Sequence, residues 1–342
     1  MPDSIYLGAL DTFKNSIDTN KFNVGFVTDS HYDFGTWRAN ASRSIQRLNN
    51  LLYLRDFLDV QVAGGDNTDS EQNNPQANKR IMEQYMRFFR SGDIDSFAIR
   101  GNHDAGSLYP ESTFGKVLPN QVVSTEDMKN IFRSDQNLYG EIRNGDSLYG
   151  YKDYSTKKIR LVFVDTVDNP IIVNGDGSLK YIDQHDYGYQ QEQLEWITDK
   201  ALGECPDDYH VIMFGHVPLR IRAGEEERAT RNFQCLIDIL KAFCNRERKS
   251  IISTLPDYNV NLSVDYTNRS SGNFIGFFAG HDHAESVVDH GEFKTIVSTR
   301  HWCSDTIDVV NEDSFQVIEV DTSSRKYNIK GFGRSTNRTF TY

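Results

Sequence analysis

Five short strings of the sequence carry side chains that bind metal ions or transfer protons. In chain order they are Asp29-Ser30-His31, Gly65-Asp66, Gly101-Asn102-His103-Asp104, Gly215-His216 and Gly280-His281-Asp282-His283. They offer four imidazoles, two carboxylates and one amide as ligands, with His103 as a further histidine. A single Gly-Asp or Asp-x-His carries little information, but all five strings in this order predict a metal centre.

The donor types indicate which ions would bind and what they would do. Imidazole and carboxylate suit first-row cations, and a carboxylate shared by two clusters is how proteins hold a metal pair. Two cations roughly 3.5–4 Å apart can share a bridging hydroxide, a nucleophile at neutral pH, and neutralise phosphate oxygens. We therefore expect two divalent or trivalent ions, with manganese as the first choice and iron or zinc as alternatives.

The strings follow segments whose patterns predict buried strands. The apolar runs 22–28, 60–63 and 96–99 are separated by helical periodicity, and each ends just before a ligand-type residue. This βαβαβ alternation predicts parallel strands, and open α/β sheets bind ligands at the carboxyl ends of their strands. The second half repeats the arrangement with more antiparallel character. Its expected elements are a hairpin over 149–164, helices over 190–202 and 232–242, strands over 210–214 and 274–279, and strand pairs within 286–297 and 315–330.

Together the five strings resemble the calcineurin-like metallophosphoesterase superfamily. The resemblance implies an α/β fold, a four-layer αββα sandwich of two mixed β-sheets flanked by helices. It also implies two metal ions that share Asp66. One ion would be held by Asp29, His31, Asp66 and His283, and the other by Asp66, Asn102, His216 and His281, so that no ligand position is missing.

His103 is not a ligand in the family pattern, and the resemblance leaves it for proton transfer. Its unperturbed pKa suits a general acid that protonates the leaving alkoxide. Asp104, the next residue, is expected to orient its ring and to favour the imidazolium. The resemblance therefore implies His103 and Asp104 as the catalytic pair beside the metals.

The resemblance is closest to the phosphodiesterase-type branch. Purple acid phosphatases place a metal-ligating Tyr three residues after the Gly-Asp aspartate, and here that position is Asp69. The Gly280-His281-Asp282-His283 ending is similar to that of cyclic-nucleotide phosphodiesterases. We therefore expect a phosphodiesterase acting on a small phosphoester. The alternatives are a phosphomonoesterase or nuclease of the same superfamily, or a structural phage or surface component with little or no activity.

Composition bears on partners and location. The net charge of −12 argues against nucleic acid as a partner, which would require clustered Lys and Arg. No apolar run is long enough to cross a membrane and the first residues lack signal-peptide features, so we expect a cytoplasmic protein. The four cysteines have no metal-site or disulfide spacing.

The segment from Thr322 onward is basic, with Arg325, Lys330, Arg334 and Arg338 and no acidic residue. A solvated edge strand is the simpler interpretation. Parts of the opening and the Gly331-Phe332-Gly333-Arg334 ending are also similar to metallophosphoesterases of Gram-positive bacteria and their phages. The alternative is therefore a contact of this segment with a virion or cell-surface assembly.

One domain over residues 1–342 is expected, with long loop insertions at 105–145, 167–188 and 246–272. Long loops in compact domains are usually functional or disordered. Within them, Tyr109, Phe114 and Phe132 are the predicted substrate walls, and His185 is a candidate for substrate recognition.

Overall fold

The computed structural model describes residues 2–35, 37–221 and 230–342. The α-helices there are α1 (Ser4–Lys14), α2 (Ser44–Leu52), α3 (Pro75–Phe89), α4 (Leu108–Phe114), α5 (Thr125–Phe132), α6 (Gln191–Trp196), which continues as a π-helical segment (Ile197–Gly203), and α7 (Phe233–Asn245). The strands are β1 (Phe22–Val27), β2 (Val60–Ala63), β3 (Asp95–Ala98), β4 (Ile142–Arg143), β5 (Gly150–Tyr154), β6 (Ile159–Phe163), β7 (His210–Phe214), β8 (Arg248–Ser253), β9 (Val260–Asp265), β10 (Phe274–Ala279), β11 (Ser286–Asp289), β12 (Lys294–Val297), β13 (Ser314–Asp321), β14 (Lys326–Gly333) and β15 (Arg338–Thr341). Among these residues no helix has the length and apolar content needed to cross a bilayer.

The first sheet has the strand order β15-β14-β13-β1-β2-β3. Strands β1, β2 and β3 run parallel, and β13 pairs antiparallel with β1. Every residue of β1 and β2 is buried, which explains why both read as continuous apolar runs rather than alternating ones. Their carboxyl ends lead to Asp29 and Asp66 at one edge of the sheet.

The second sheet has the order β11-β12-β10-β7-β6-β5-β4, with β6, β7, β10 and β12 parallel. The two sheets pack face to face through an aromatic-rich layer, in which Phe26 lies 5.4 Å from Phe214 and Phe97 lies 5.0 Å from Phe163, measured between ring centroids. Helices α1, α2, α3 and α5 cover the outside of the first sheet, and α6 and α7 that of the second. The expected αββα sandwich is confirmed.

Two segments predicted as loops contain regular structure. Residues 105–145 include α4 and α5, and α5 begins with a capping box in which Ser124 and Asp127 bond each other's backbone N–H groups. Residues 246–272 include the β8–β9 hairpin, whose Ile251 and Val264 point into the core beside α7. These helices and strands are short and their outer faces are polar, so the amino-acid composition of the two segments did not indicate them. The single-domain organisation stays a prediction.

The basic C-terminal segment binds within its own chain. Arg325 donates to the carbonyl of Tyr342, and Lys330 pairs with Glu319 at 3.0 Å. Arg334 donates to the carbonyl of His301, and Arg338 to that of Val297. The simpler interpretation, an edge of the first sheet, therefore fits, and these contacts give no support to a virion or surface contact.

Glu312 anchors the start of α1 and the start of α2 to the segment before β13. Its carboxylate is fully buried and accepts hydrogen bonds from Arg43 Nε at 2.6 Å, Arg47 at 2.5 Å and the backbone N–H of Asp308 at 2.7 Å. Burial alone would raise the pKa of Glu312, but Arg43, the Asp308 N–H and Arg47 lower it from 4.5 to about 2. The ionised carboxylate therefore stabilises the fold.

We expect Glu312→Gln to lower the free energy of unfolding by about 3 kcal/mol at neutral pH, because it leaves buried guanidinium groups without a counter-charge. A depressed pKa gives stability that is complete above the ordinary pKa and is lost as the pH falls through the folded value. The difference between wild type and variant should therefore shrink between pH 4.5 and about 2. Urea unfolding at several pH values measures this. Asp308→Asn is the matched control, because Asp308 pairs with the same Arg43 but is exposed, and it should change stability by less than about 1 kcal/mol.

Candidate metal centre

Asp66 lies between two groups of ligand-type side chains at the carboxyl ends of the strands. Ligand atoms of Asp29, His31, Asp66 and His283 all lie within 4.8 Å of one another, and so do those of Asp66, His216 and His281. Oδ2 of Asp66 is 3.7 Å from Nε2 of His31 and 3.3 Å from Nε2 of His216. The structure thus gathers four strand ends around one carboxylate.

In the first group, nitrogen and oxygen atoms converge on one point. Nε2 of His31 lies 2.9 Å from Nε2 of His283, and these nitrogens are 3.9 and 3.4 Å from Oδ1 of Asp29. Nδ1 of His31 is 2.9 Å from Asp69, which leaves its Nε2 lone pair for a cation. Two imidazole nitrogens and carboxylate oxygens that converge in this way are a donor set that fits a first-row metal ion.

The second group includes the amide of Asn102. Oδ1 of Asn102 is 3.1 Å from Nε2 of His216 and 2.9 Å from Nδ1 of His281. Nδ1 of His216 lies 2.9 Å from the carbonyl oxygen of Gly64, a contact that places the proton on Nδ1 and turns Nε2 toward Asn102 and Asp66. All seven expected ligand residues therefore lie in two adjoining groups.

The carboxylates of both groups are held in the ionised form. Burial would raise the pKa of Asp66, but the facing imidazoles, His216 first, lower it well below its usual range. Burial likewise opposes the ionisation of Asp29, and contact with His283 lowers its pKa to about 2. Ionised carboxylates are the form that binds cations.

The backbone of the ligand residues is strained. Left-handed conformations occur at five of them, with φ of 53° at Asp29, 42° at His31, 47° at Asp66, 70° at His281 and 60° at His283. Such conformations cost about 1–3 kcal/mol each outside glycine and persist where the surroundings enforce them, characteristically at functional sites. Here the strain turns consecutive side chains back over the strand ends.

The glycines of the strings act chiefly by letting neighbours approach closely. Gly65 has a left-handed φ of 95°, and a Cβ there would also strike the ring of His216. Gly101 has no such φ, but a Cβ on it would collide with Asp66. The fold therefore needs glycine at Gly101 for space rather than for a sharp turn.

Asp69 lies between His31 and His103. Its Oδ1 accepts from Nε of Arg38 at 2.6 Å and lies 2.9 Å from Nδ1 of His31 and 3.4 Å from Nδ1 of His103. Asp69 is fully buried. In the sequence, Asp69 stands out only because purple acid phosphatases have a metal-ligating Tyr at this position. Its position three residues after Asp66 was the available signal.

Asp104 does not orient the ring of His103, so that expectation is wrong. Its carboxylate instead accepts from the backbone N–H groups of Gly101 at 2.8 Å and Thr68 at 2.9 Å. Burial and the nearby charge of Asp66 raise the pKa of Asp104 to about 7. Asp104 ties together the turns after β2 and β3, and Asp69 occupies the place beside His103.

The segment 167–188, marked in the sequence only as a long loop, contacts His103. Nε2 of Gln184 lies 3.3 Å from Nε2 of His103, and the Gln184 carbonyl accepts from the Tyr187 hydroxyl at 2.8 Å. The Tyr187 ring lies 5.0 Å from that of His281. Burial lowers the pKa of His103 to about 3, so its ring is neutral at neutral pH.

The other predicted substrate residues differ in exposure. Phe132 is only 4% exposed and packs in the core beneath the helices of the first sheet, so it is not a substrate wall. Phe114 is exposed, and its ring centroid is 6.5 Å from that of Tyr109. His185 points outward and pairs with Glu111 at 2.9 Å.

The chain was compared with known families and structures. The family model described as calcineurin-like phosphoesterase matches residues 22–285. A dimetal phosphatase from Danio rerio is similar in structure, with a TM-score of 0.60 at 16% identity, covering 94% of this chain and 99% of that one. A putative 5'-nucleotidase from Staphylococcus aureus gives a TM-score of 0.42 at 13% identity, covering 93% and 54% of the two chains. None of the curated proteins matches. With more than half of its length matched by the family model, the chain belongs to the calcineurin-like phosphoesterase family.

Proposed function

We propose that this metal-dependent phosphoesterase hydrolyses phosphodiesters in preference to monoesters at a pair of metal ions. The observation that carries the proposal is that two groups of ligand-type side chains share Asp66. Asp29, His31, Asp66 and His283 would hold one ion, and Asp66, Asn102, His216 and His281 the other. Since the donors are nitrogen and oxygen atoms without thiolates, manganese is the proposed ion.

The residues around the ions have separate tasks. When bound, the two ions supply Lewis acidity and an activated water as the nucleophile. Burial favours a neutral His103 ring while no anion is bound. The negative oxygens of a bound phosphoester would stabilise its imidazolium, which then gives a proton to the leaving oxygen. The ring centroid of His103 lies 4.8 Å from that of His31. Asp69 fixes the orientation of His31 and lies beside His103. Gln184 and Tyr187 enclose the leaving-group side.

The charges near the centre support the diester preference. Two loop arginines, Arg220 and Arg222, could bind the second negative charge of a monoester. Arg220 pairs with Asp282 at 2.6 Å, as Arg38 does with Asp69. Arg222 lies outside the described residues. A monoester is more negative than a diester at neutral pH, and this chain carries a net charge of −12. A phosphomonoesterase is the second candidate, favoured by Arg300, which has no acidic partner among the described residues.

We expect a higher kcat/KM for bis-p-nitrophenyl phosphate than for p-nitrophenyl phosphate. Both are compared at the same Mn²⁺ concentration and at about pH 8, where the monoester is almost fully dianionic. The same assay with Fe²⁺ or Zn²⁺ tests the metal. A clear monoester preference would make the protein a phosphatase with the same metal chemistry.

A further inference from the structure

Two tryptophans and two arginines alternate in a stack beside the first metal group. The Arg38 Cζ lies 4.4 Å from the centre of the Trp37 ring and 4.9 Å from that of Trp302. The Arg300 Cζ lies 4.6 Å from the centre of the Trp302 ring. Cation–π contacts of this kind hold a guanidinium in place without neutralising it. The stack therefore keeps the Arg300 head group in a defined position.

The stack is attached to the metal ligands. The Trp302 ring centroid is 6.1 Å from that of His31 and 6.5 Å from that of His283. The backbone N–H of Trp302 donates to the carbonyl of Asp29 at 3.0 Å, and the Thr299 hydroxyl donates to the carbonyl of His283 at 3.1 Å. Thr299 and Trp302, on either side of Arg300 in the chain, thus hold this segment against Asp29 and His283. Because Arg300 stacks on Trp302, we place it at the rim of the centre.

Arg300 differs from the other arginines near this rim. Asp69 faces Arg38 and Asp282 faces Arg220, at 2.6 Å in each case. Within residues 2–35, 37–221 and 230–342, no carboxylate lies within ion-pair distance of Arg300, although it is half-buried. Its guanidinium is therefore free to bind an anionic group of a substrate beside the first metal group.

We propose that Arg300 contacts the substrate and binds the additional negative oxygen of a terminal phosphate. The inference rests on the proposed function and adds the residue that decides how well a phosphomonoester competes with a diester. A phosphomonoester carries about −1.5 to −2 charges at neutral pH, and its three non-ester oxygens accept hydrogen bonds. A planar guanidinium can bind two such oxygens at once. A diester has one negative charge, so it gains less from Arg300.

The test compares Arg300→Gln with wild type on both esters. We expect kcat/KM for p-nitrophenyl phosphate to fall about 10- to 100-fold, the usual value of a hydrogen bond to a charged group, mostly through KM. For bis-p-nitrophenyl phosphate the fall should stay within about threefold. Arg300→Lys should recover part of the loss, since it restores the charge but not the planar fork. Arg55→Gln, at an exposed site before β2, is the control and should leave both substrates unaffected.

A binding measurement separates this inference from the proposed function. Calorimetric titration of the Mn²⁺-loaded protein with inorganic phosphate should show affinity reduced by a similar factor in Arg300→Gln, with metal content unchanged. Equal losses on both esters, or unchanged phosphate affinity, would overturn the role of Arg300. If loaded wild type hydrolyses neither ester, the proposed function fails, while the phosphate titration still decides whether Arg300 binds the anion.

Discussion

Replacing Asp66 with alanine is expected to remove both metal ions together and to reduce hydrolysis to background. Oδ2 of Asp66 faces His31 on one side and His216 on the other, so both ligand groups lose the same carboxylate. The remaining ligand-type side chains then carry too little negative charge to balance two cations. Elemental analysis after Mn²⁺ saturation measures the metal content, and bis-p-nitrophenyl phosphate measures the activity.

Asp59→Ala is the matched control for this variant. Asp59 precedes the first residue of β2, whereas Asp66 follows its last residue. The carboxylate of Asp59 accepts a hydrogen bond from the backbone N–H of Asn23 at 2.8 Å, at the end of the strand far from the ligand groups. It should keep two metal ions and near-normal activity. Retention of both ions in Asp66→Ala, or loss of one ion alone, would contradict a shared carboxylate.

The positions of the ligand residues could be predicted because they depend on strand ends. The runs that precede Asp66 and His216 are confirmed as β2 (Val60–Ala63) and β7 (His210–Phe214). Parallel strands bring their carboxyl ends to one edge of the sheet. Short motifs that follow these strands therefore meet there, independently of the length and conformation of the connecting loops. Local pattern and topology therefore sufficed to group these side chains.

The supporting residues could not be predicted in the same way. Gln184 reaches His103 across 81 positions of sequence, and its segment has no strand or helix pattern of its own. Arg300 is positioned by its stack on Trp302, and no carboxylate of the described part of the chain pairs with it. Neither feature is visible in the sequence alone. Asp104 shows the opposite error, since adjacency to His103 suggested a contact that the direction of its side chain rules out.

The backbone strain at the ligands was also hidden from the sequence. Glycine is the residue that normally signals a left-handed turn, yet His31, His281 and His283 adopt that conformation with full side chains. The surrounding contacts offset the conformational energy of these left-handed residues and turn their side chains toward one another. Sequence patterns indicate the backbone conformation that a residue type favours, and at this centre the surrounding contacts enforce a different conformation.

Replacing His103 with alanine is expected to keep both metal ions and to lower kcat by about 10²- to 10⁴-fold, the usual contribution of a general acid. The contact of His103 with the metal group is made by its backbone N–H, which donates to Oδ1 of Asp66 at 2.8 Å and survives the substitution. The proposed ligand sets do not include the lost imidazole, although one of its nitrogens lies within 4.8 Å of ligand atoms of His31 and Asp69. Metal analysis measures the first effect, and steady-state kinetics on a phosphodiester with an alkoxide leaving group (the alkyl ester) measures the second.

The dependence on the leaving group decides what the imidazole does. p-Nitrophenolate leaves readily without a proton, whereas an alkoxide does not, so the loss should be much smaller for bis-p-nitrophenyl phosphate than for the alkyl ester. Gln184→Ala removes the side chain facing Nε2 of His103 and should give a smaller loss, since the imidazole stays. Equal losses for good and poor leaving groups would instead make His103 a positioning residue, because a group that only orients the substrate affects every ester alike.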